Sequence, residues 1–296
     1  MPTDMNDYIE RILRARVYDV AIESPLDAAP RLSRRLGNSV LLKREDLQPV
    51  FSFKLRGAYN KISSLSESVA QRGVICASAG NHAQGVALAA RRRGIPAVIV
   101  MPQTTPTIKV QAVIDLGGEV VLHGDDYDAA YERSLVIARE RNLVFVHPFD
   151  DPDVIAGQGT IGMEIARQTA GALDAVFVPV GGGGLIAGIA VYLKFLYPRV
   201  RIVGVNAADS TAMTDSLRQG KRVALDKVGI FADGCAVRRV GEETFRLARA
   251  HVDEMITVDT DEICAGVQDI FEDTRSIVEP AGALAGAAIK KHVGRG

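Results

Sequence analysis

The side chain best placed for covalent chemistry in this sequence is Lys54. It follows a strand-like apolar run, Ser39 to Lys43, and a loop, and it precedes a segment compatible with a helix, Leu55 to Leu65. An ammonium group is disfavoured at a helix N-terminus and in apolar surroundings, which Phe51 and Phe53 could provide. Both effects favour the neutral amine that forms a Schiff base. The alternative is a solvated lysine at the start of an amphipathic helix, so the interpretation depends on the rest of the chain.

Two further segments have the composition of anion-binding loops. Ser78-Ala79-Gly80-Asn81-His82 follows the apolar run Val74 to Ala77 and precedes a helical pattern. Gly181-Gly182-Gly183-Gly184 follows the strand-like run Ala175 to Val180 and precedes a second helical pattern, Leu185 to Leu196. A strand–loop–helix junction of this kind exposes backbone N–H groups at a helix N-terminus, where anions bind. A glycine run alone would fit a tight turn or close helix–strand packing equally well.

The order of these elements narrows the chemistry. One activated lysine and two anion-binding loops suit an enzyme that binds pyridoxal phosphate and the carboxylate of an amino acid. A dinucleotide site is the weaker interpretation. The glycine run lacks the G-x-G-x-x-G frame with an acidic residue about 20 positions further on.

The chain resembles the fold-type II pyridoxal-phosphate enzymes, and among them the biosynthetic threonine dehydratase (threonine ammonia-lyase) family. The resemblance extends almost from end to end. Gln48-Pro49-Val50-Phe51 ahead of the lysine resembles the biosynthetic branch more than the catabolic dehydratases or the serine racemases, which typically have Thr-Gly there. The motifs that carry the resemblance are Ser24-Pro25-Leu26, Lys43-Arg44-Glu45-Asp46, Gln48 to Tyr59, Ser78 to His82, His147-Pro148-Phe149-Asp150, Ile155 to Thr160, Val178-Pro179-Val180 with the glycines that follow, and Glu279-Pro280-Ala281-Gly282-Ala283.

This resemblance implies roles for individual residues. Lys54 would form the Schiff base with the cofactor and, once released by the substrate, remove the α-proton. Phe53 would lie against the cofactor ring, and the Asn81 amide would bind the 3-hydroxyl group. The other cofactor-binding residues implied are Gly181, Gly182, Gly183, Gly184 and Leu185 for the phosphate, with Gly234 and Glu279 near the ring. The substrate-binding residues implied are Ser78, Ala79, Gly80, Asn81 and His82, with Gly157 and Gln158 in an active-site loop that continues to Gly159.

Two of these residues have other interpretations. His82 could be a general base, but a structural residue at a helix start is preferred. Glu279 could equally cap a helix or pack as a buried carboxylate. No aspartate is placed by motif to protonate the pyridine nitrogen, which agrees with the family, where a neutral hydroxyl is the partner. A neutral ring is a weaker electron sink and favours β-elimination over transamination.

The implied reaction converts L-threonine to 2-oxobutanoate and ammonia, the first step of isoleucine biosynthesis, and L-serine to pyruvate. The two substrates differ by one methyl group, which is worth roughly 1 kcal/mol or a little more in an apolar pocket. Two alternatives remain open at this point. One is a serine racemase-like or other β-eliminating enzyme that uses the same lysine, and the other is an inactive, truncated catalytic-domain fragment.

The composition is that of a globular protein without a polyanionic partner. The chain has 296 residues, of which 47% are hydrophobic and 24% charged, and its formal net charge is -1. Because this charge is nearly balanced, neither nucleic acid nor a membrane surface is expected as a partner. The longest apolar stretch, Leu185 to Leu193, is interrupted by glycine and is too short to cross a bilayer. The resemblance also implies that the protein forms a homo-oligomer, either a dimer or a tetramer.

The cysteines indicate the compartment. Cys76, Cys235 and Cys264 are odd in number and far apart, so neither a disulfide framework nor a metal site is expected. Cys76 lies in an apolar run and is predicted to be in the core. The acidic N-terminus lacks the apolar segment of a secretion signal. Together these features predict reduced thiols and a cytoplasmic protein.

Short β-branched runs alternate with helical stretches, which predicts an α/β fold with parallel sheets. The resemblance implies two open α/β domains of the tryptophan-synthase-β-like kind: residues 1–45 plus 148–296, which bind the cofactor phosphate, and residues 46–147 on the substrate side. Ile9, Ile12, Leu13 and Val17 recur at helical spacing and predict an N-terminal amphipathic helix. The other predicted strands are Ala97 to Met101, Glu119 to His123, Leu143 to His147, Arg201 to Asn206 and Glu254 to Val258, and the other predicted helices are Ala83 to Arg93, Ile108 to Leu116 and Tyr127 to Arg141.

Compared with the family, this sequence is expected to lack two features. The first is a C-terminal strand of the larger domain, which ends in Ser-Gly-Gly/Ala-Asn and supplies the hydroxyl for the pyridine nitrogen. The second is a C-terminal regulatory domain. Without that strand, Ala175 to Val180 would lose a neighbour, and each buried unpaired backbone group costs roughly 1–3 kcal/mol. The 296 residues alone are therefore expected to be marginally stable, to bind pyridoxal phosphate weakly and to turn over threonine slowly.

Overall fold

The chain forms two compact units in a computed structural model that describes residues 5–170 and 173–294. The first unit contains the start of the chain up to Ile9, Ser24–Arg44 and the chain from Ile161 onward. The second unit contains Glu10–Glu23 and Glu45–Thr160. Relative to the predicted division, residues 10–23, residue 45 and residues 148–160 lie with the second unit. The predicted functional domains themselves stay a prediction.

Helices and strands alternate through most of the described chain. The helices are α1 (Met5–Leu13), α2 (Pro30–Leu36), α3 (Lys54–Ser63), α4 (Glu67–Ala70), α5 (Asn81–Arg93), α6 (Thr107–Asp115), α7 (Tyr127–Glu140), α8 (Pro152–Thr169), α9 (Gly184–Leu196), α10 (Ala212–Gln219), α11 (Glu242–His251), α12 (Thr260–Thr274) and α13 (Pro280–Val293). The strands are β1 (Leu26–Ala28), β2 (Leu41–Lys43), β3 (Val74–Ala77), β4 (Ala97–Met101), β5 (Glu119–Leu122), β6 (Val144–Phe145), β7 (Ala175–Pro179), β8 (Arg201–Ala207) and β9 (Glu254–Val258).

The second unit is built on a parallel sheet with the order β5-β4-β3-β6. Every residue of β3 and β4 is buried, as is typical of parallel strands covered on both faces. Cys76 is fully buried in β3, which confirms its predicted place in the core. The loop Ser78 to Gly80 leaves the carboxyl end of β3, where ligand-binding loops of open α/β sheets lie.

The first unit has a parallel sheet with the order β7-β8-β9, and a short antiparallel pair, β1 with β2. Within the described residues, β7 pairs with β8 alone. The glycine run leaves the carboxyl end of β7 and leads into α9. Both sheets confirm the predicted α/β class with parallel strands.

Some predicted elements end elsewhere than their sequence pattern indicates. Helix α1 ends at Leu13, which is 61% exposed, while Val17 is buried in a coil beyond the helix. The single helical stripe predicted through Val17 is therefore wrong; Val17 packs with Ala21, Val50 and Leu55 instead. Strand β6 has two residues rather than the five predicted from Leu143 to His147. No helix among the described residues is both long and apolar enough to span a membrane.

Candidate active site

Lys54 is the first residue of α3, as the predicted strand–loop–helix junction requires. Its Nζ atom donates a hydrogen bond to the carbonyl oxygen of Pro148 at 3.0 Å and lies 5.5 Å from the centroid of the Phe53 ring. The expectation that Phe51 desolvates the lysine is wrong, because the Phe51 side chain is 78% exposed. Phe51 has a φ of 56°, which directs the chain sharply at the entry to α3. The apolar contact of Lys54 therefore comes from Phe53.

A buried arginine holds the start of α3 in place. The Arg56 side chain is fully buried, and its guanidinium donates to both Glu45 carboxylate oxygens at 2.8 Å. It also donates to the Thr160 hydroxyl at 3.1 Å and to the Ile22 carbonyl at 3.1 Å. Charged groups are tolerated in an interior only when they are paired and hydrogen-bonded in this way. Lys54, two residues before Arg56, is thereby fixed relative to the chain on either side of the helix.

Replacement of Arg56 by methionine is expected to lower the free energy of unfolding by about 3–5 kcal/mol, because the largely buried Glu45 loses its guanidinium partner. Urea denaturation measures this change. The matched control is Arg16→Met, which breaks the exposed pair of Arg16 with Asp19, and it should cost less than about 1 kcal/mol. If Arg56→Met changed the free energy of unfolding as little as the control does, the Arg56–Glu45 pair would not hold α3 in place.

Gly157 and Gln158 lie inside helix α8 and are buried, so the prediction of a loop here is wrong. A Cβ atom on Gly157 would lie 2.6 Å from the Cα atom of Gly57 in α3, a separation that real atoms do not adopt. The Gln158 side-chain oxygen accepts a hydrogen bond from the Gly57 N–H at 3.3 Å. These residues therefore act in the close packing of α8 against α3.

Residues 78–82 form the predicted junction between β3 and α5. The Ser78 hydroxyl accepts a hydrogen bond from the Gly80 N–H at 3.2 Å, which closes a small turn before the helix. A Cβ atom on Gly80 would meet nothing within 4 Å, so open space borders the helix N-terminus. The first helical turn, Asn81-His82-Ala83-Gln84, contains no acidic residue. Its positive end is therefore suited to an external carboxylate.

His82 has the properties of a structural residue. It is 3% exposed, and its Nε2 atom lies 3.0 Å from the Val146 carbonyl oxygen, to which the ring donates. Burial, together with the charge on Lys54, lowers the pKa of His82 from 6.5 to about 3, although the hydrogen bond to Val146 acts in the opposite direction. The imidazole is neutral at physiological pH and ties the start of α5 to the end of β6. This geometry supports the preferred, structural interpretation over a general base.

The depressed pKa of His82 predicts a pH-dependent stability. Between pH 6.5 and about 3 the unfolded chain binds a proton here that the folded chain does not, so His82 stabilises the fold fully above that window. As pH falls through the window, its contribution is lost at up to about 1.4 kcal/mol per pH unit. His82→Gln should reduce the slope of unfolding free energy against pH by about one proton, measured by urea denaturation. The exposed His123, replaced by glutamine, is the control; equal slopes for both variants would contradict this.

The glycine run leads into the N-terminus of α9, and at Gly183 its backbone has no room for a side chain. Gly183 has a φ of 99°, and a Cβ atom there would lie 2.6 Å from the Met213 methyl carbon and 2.9 Å from Cβ of Thr244. The buried Thr244 hydroxyl donates to the Gly182 carbonyl at 2.6 Å and holds the loop from the other side. The following turn, Gly184 to Ala187, has no acidic residue. Because Ala187 donates its N–H to the Gly183 carbonyl at 3.0 Å, an anion would bind at the N–H groups that precede Ala187.

Gly234 and Glu279, assigned from widely separated segments, are neighbours in the first unit. A Cβ atom on Gly234 would lie 3.2 Å from a carboxylate oxygen of Glu279. Glu279 stands at the N-cap of α13, but its carboxylate does not cap that helix within the described residues. Glu279 is therefore not a helix cap, which was one of the two alternatives to a role near the ring. Gly181 lies beside the same segment, because a Cβ atom on it would be 3.1 Å from Cα of Cys235.

Several residues that shape the site carry no recognisable sequence signal. Pro148 contributes a backbone carbonyl, which any residue type could supply. Thr244 lies far along the chain from the loop it supports. Asn206, which is buried, donates to the Val180 carbonyl at 2.7 Å and accepts from Thr214. Thr244 in α11 and Asn206 in β8 could have been indicated as buried only by the apolar residues around them.

The residues of each unit suit one functional group. The second unit has an amine at a helix start, which suits an aldehyde, and the first unit has a glycine-lined helix N-terminus, which suits a phosphate. A crowded left-handed glycine such as Gly183 lets backbone N–H groups approach a phosphate closely. Pyridoxal phosphate has both functional groups, and the donor set matches it.

Comparison with known proteins identifies the class. Residues 17–296 match the family model described as pyridoxal-phosphate dependent enzyme. The chain belongs to this family, whose members use pyridoxal phosphate as cofactor. The fold is that of its fold-type II members.

Within the family, the similar relatives share one name. The chain is 61% identical over 279 residues to the chloroplastic biosynthetic threonine dehydratase of Arabidopsis thaliana, covering 94% of this chain and 47% of the relative. It is 58% identical to biosynthetic L-threonine dehydratase of Burkholderia multivorans over 98% of this chain and 58% of the relative. The processed form of threonine deaminase isoform 2 from Solanum lycopersicum superposes with a TM-score of 0.96 at 51% identity, covering 98% of this chain and 80% of that one. The chain thus spans about half the length of the curated relatives.

Proposed function

We propose that this chain catalyses the pyridoxal-phosphate-dependent dehydration and deamination of L-threonine to 2-oxobutanoate and ammonia. The observation that carries the proposal is Lys54, an amine at a helix start that contacts an aromatic ring and donates to the neutral Pro148 carbonyl at 3.0 Å. The names of relatives with 58% and 61% identity support the same reaction. Such a threonine-deaminating enzyme would act in isoleucine biosynthesis and would also convert L-serine to pyruvate.

The bound cofactor supplies an electron sink for the bond electrons that the α-carbon releases. Lys54 would hold the cofactor through its aldehyde, and the same ε-amine, when not bound to the cofactor, would accept the α-proton. The Pro148 carbonyl then holds one N–H of that amine. Because a carbonyl accepts but never donates, it orients the amine without taking over the proton transfer.

The start of α5 binds the substrate carboxylate. Open space borders the helix N-terminus at Gly80, and the positive end of the helix dipole favours a carboxylate there. The neutral imidazole of His82 keeps this junction against the end of β6. Asn81, at the first position of the helix, would hold the 3-hydroxyl group of the cofactor.

The N-terminus of α9 binds the cofactor phosphate through residues 181–185. Gly183 permits the close approach, and Thr244 holds the loop through the Gly182 carbonyl. Gly234 and Glu279 would lie near the cofactor ring. Phe53, which contacts the Lys54 side chain, would lie against that ring.

Two attributes of the whole protein are also proposals. We propose a homo-oligomer, a dimer or a tetramer, which sedimentation of the purified chain would test. A cytoplasmic location is proposed from the cysteines, which are free in the structure; the printed name of the Arabidopsis thaliana relative places that protein in the chloroplast.

The function is tested by product analysis. Purified chain with added pyridoxal phosphate should form 2-oxobutanoate from L-threonine and pyruvate from L-serine, followed by lactate dehydrogenase coupling and mass spectrometry. Formation of D-serine as the main product would instead identify a racemase. If the purified chain stayed folded, bound the cofactor and gave none of these products, the threonine reaction would be excluded for these residues.

A further inference from the structure

Residues 147–150 form a turn whose backbone is held by one side chain. The His147 Nδ1 atom accepts hydrogen bonds from the Phe149 N–H at 3.2 Å and from the Asp150 N–H at 2.7 Å. The ring lies edge-on to Phe149, with centroids 4.7 Å apart, and to Phe145 at 6.2 Å. Pro148, between them, has no N–H to contribute. The same ring nitrogen therefore satisfies two consecutive donors of the turn.

These contacts define the protonation state of His147. A nitrogen that accepts two N–H groups cannot carry a proton, so a neutral ring must have its proton on Nε2. Burial lowers the pKa of His147 and the charge on Lys54 lowers it too, while Asp150 and Asp151 raise it. The net effect keeps the imidazole neutral, as the turn requires.

The turn presents one atom to Lys54. The carbonyl of Pro148, at the centre of the turn, accepts from Lys54 Nζ at 3.0 Å. The residue before the turn is held as well, because Val146 donates its N–H to Ile75 at 2.9 Å and accepts from His82 at 3.0 Å. The chain up to Val146 is thus anchored to the sheet and to α5, and His147 determines the direction it takes next.

We propose that His147 is a positioning residue for Lys54: its neutral ring, through Nδ1, fixes the turn that aims the Pro148 carbonyl at the lysine amine. The inference deepens the proposed function, on which its catalytic meaning rests. It assigns His147 no contact with substrate or cofactor. Replacing the ring by a side chain without an acceptor releases the Phe149 and Asp150 N–H groups, and the carbonyl then loses its fixed direction.

The test compares two substitutions in the full chain without added cofactor. His147→Leu removes the acceptor, whereas in His147→Asn the side-chain oxygen accepts from the N–H groups two and three residues on, as in an Asx-turn. Leucine should raise the amide exchange rates of Phe149 and Asp150 by about fivefold to tenfold, since each loses one hydrogen bond. It should also change the acetylation rate of Lys54, relative to the exposed Lys227, by at least about threefold. Asparagine should restore both.

The exposed His123, replaced by leucine, is the matched control and should leave both readouts at their wild-type values. The proposal is overturned if His147→Leu frees the two amides while the relative Lys54 rate stays at the wild-type value. It is also overturned if the folded asparagine variant behaves like the leucine variant. The Lys54 rate needs neither cofactor nor threonine, so a chain that fails to deaminate threonine can still pass this test.

A measurement on the unmodified chain keeps the proposal falsifiable if His147→Leu does not fold. Nitrogen-15 chemical shifts of the histidine rings should show His147 at neutral pH with an unprotonated Nδ1 and a protonated Nε2. A proton on Nδ1 would leave no acceptor for the two N–H groups and would overturn the assignment.

Discussion

Replacement of Lys54 by alanine should lower the rate of 2-oxobutanoate formation by at least about 10³-fold. The variant lacks the nucleophile that binds the cofactor and also the base that accepts the α-proton, and a positioned base alone contributes about 10²–10⁴-fold. Borohydride reduction of the wild-type chain with pyridoxal phosphate, followed by peptide mapping, should find the pyridoxyl group on the peptide that contains Phe53-Lys54-Leu55. The alanine variant should show no such label.

The matched control for this prediction is Lys227→Ala, because Lys227 is an exposed lysine away from the residues assigned to the site. It should retain both the label on Lys54 and the wild-type rate. Label recovered mainly on Lys43 or Lys109 would exclude Lys54 as the covalent residue, and with it the proposed proton transfer.

Gly183→Asp should weaken the binding of pyridoxal phosphate by at least about 100-fold. The carboxylate would stand beside a phosphate that carries about −1.5 to −2 charges, and repulsion is strong where water is partly excluded. The side chain would also meet Met213 and Thr244, and a φ of 99° is strained for any residue with a Cβ atom. Fluorescence titration of the cofactor measures the dissociation constant.

Two controls separate charge from strain. Gly183→Ala introduces the same Cβ atom without the charge, so the difference between the aspartate and alanine variants reports the repulsion. Gly220→Asp introduces the charge at another left-handed glycine, with a φ of 67°, where a Cβ atom meets nothing within 4 Å; cofactor affinity should be unchanged. Equal affinities in Gly183→Asp and wild type would mean that the phosphate binds elsewhere.

Local sequence patterns predicted the regular elements well where burial and propensity agree. Strands β3, β4 and β9 have the predicted boundaries, because each is a continuous β-branched or apolar run within a parallel sheet. Strand β6 is shorter than its pattern because His147 and Pro148 form a turn there. A turn that depends on a ring nitrogen accepting two backbone N–H groups has no periodic signature in sequence.

The predicted loop at Gly157 and Gln158 failed for a related reason. The family resemblance implied that loop, and glycine, which lowers helix propensity by about 1 kcal/mol, gave no local signal for a helix against it. In the fold, close approach of α8 to α3 requires glycine at this position, and the gain in packing outweighs propensity. Propensity is a weak prior that tertiary contacts override.

The sequence by itself determined the α/β class, the family, the lysine at a helix start and the two glycine-containing junctions, because each depends on residues that are neighbours along the chain. Tertiary structure alone decided which backbone carbonyl accepts the hydrogen bond of the Lys54 amine. It also decided that His82 is buried and neutral, and that Gly234 lies beside Glu279. Those features join residues separated by tens of positions. Their energies depend on distance and burial, which only the folded chain defines.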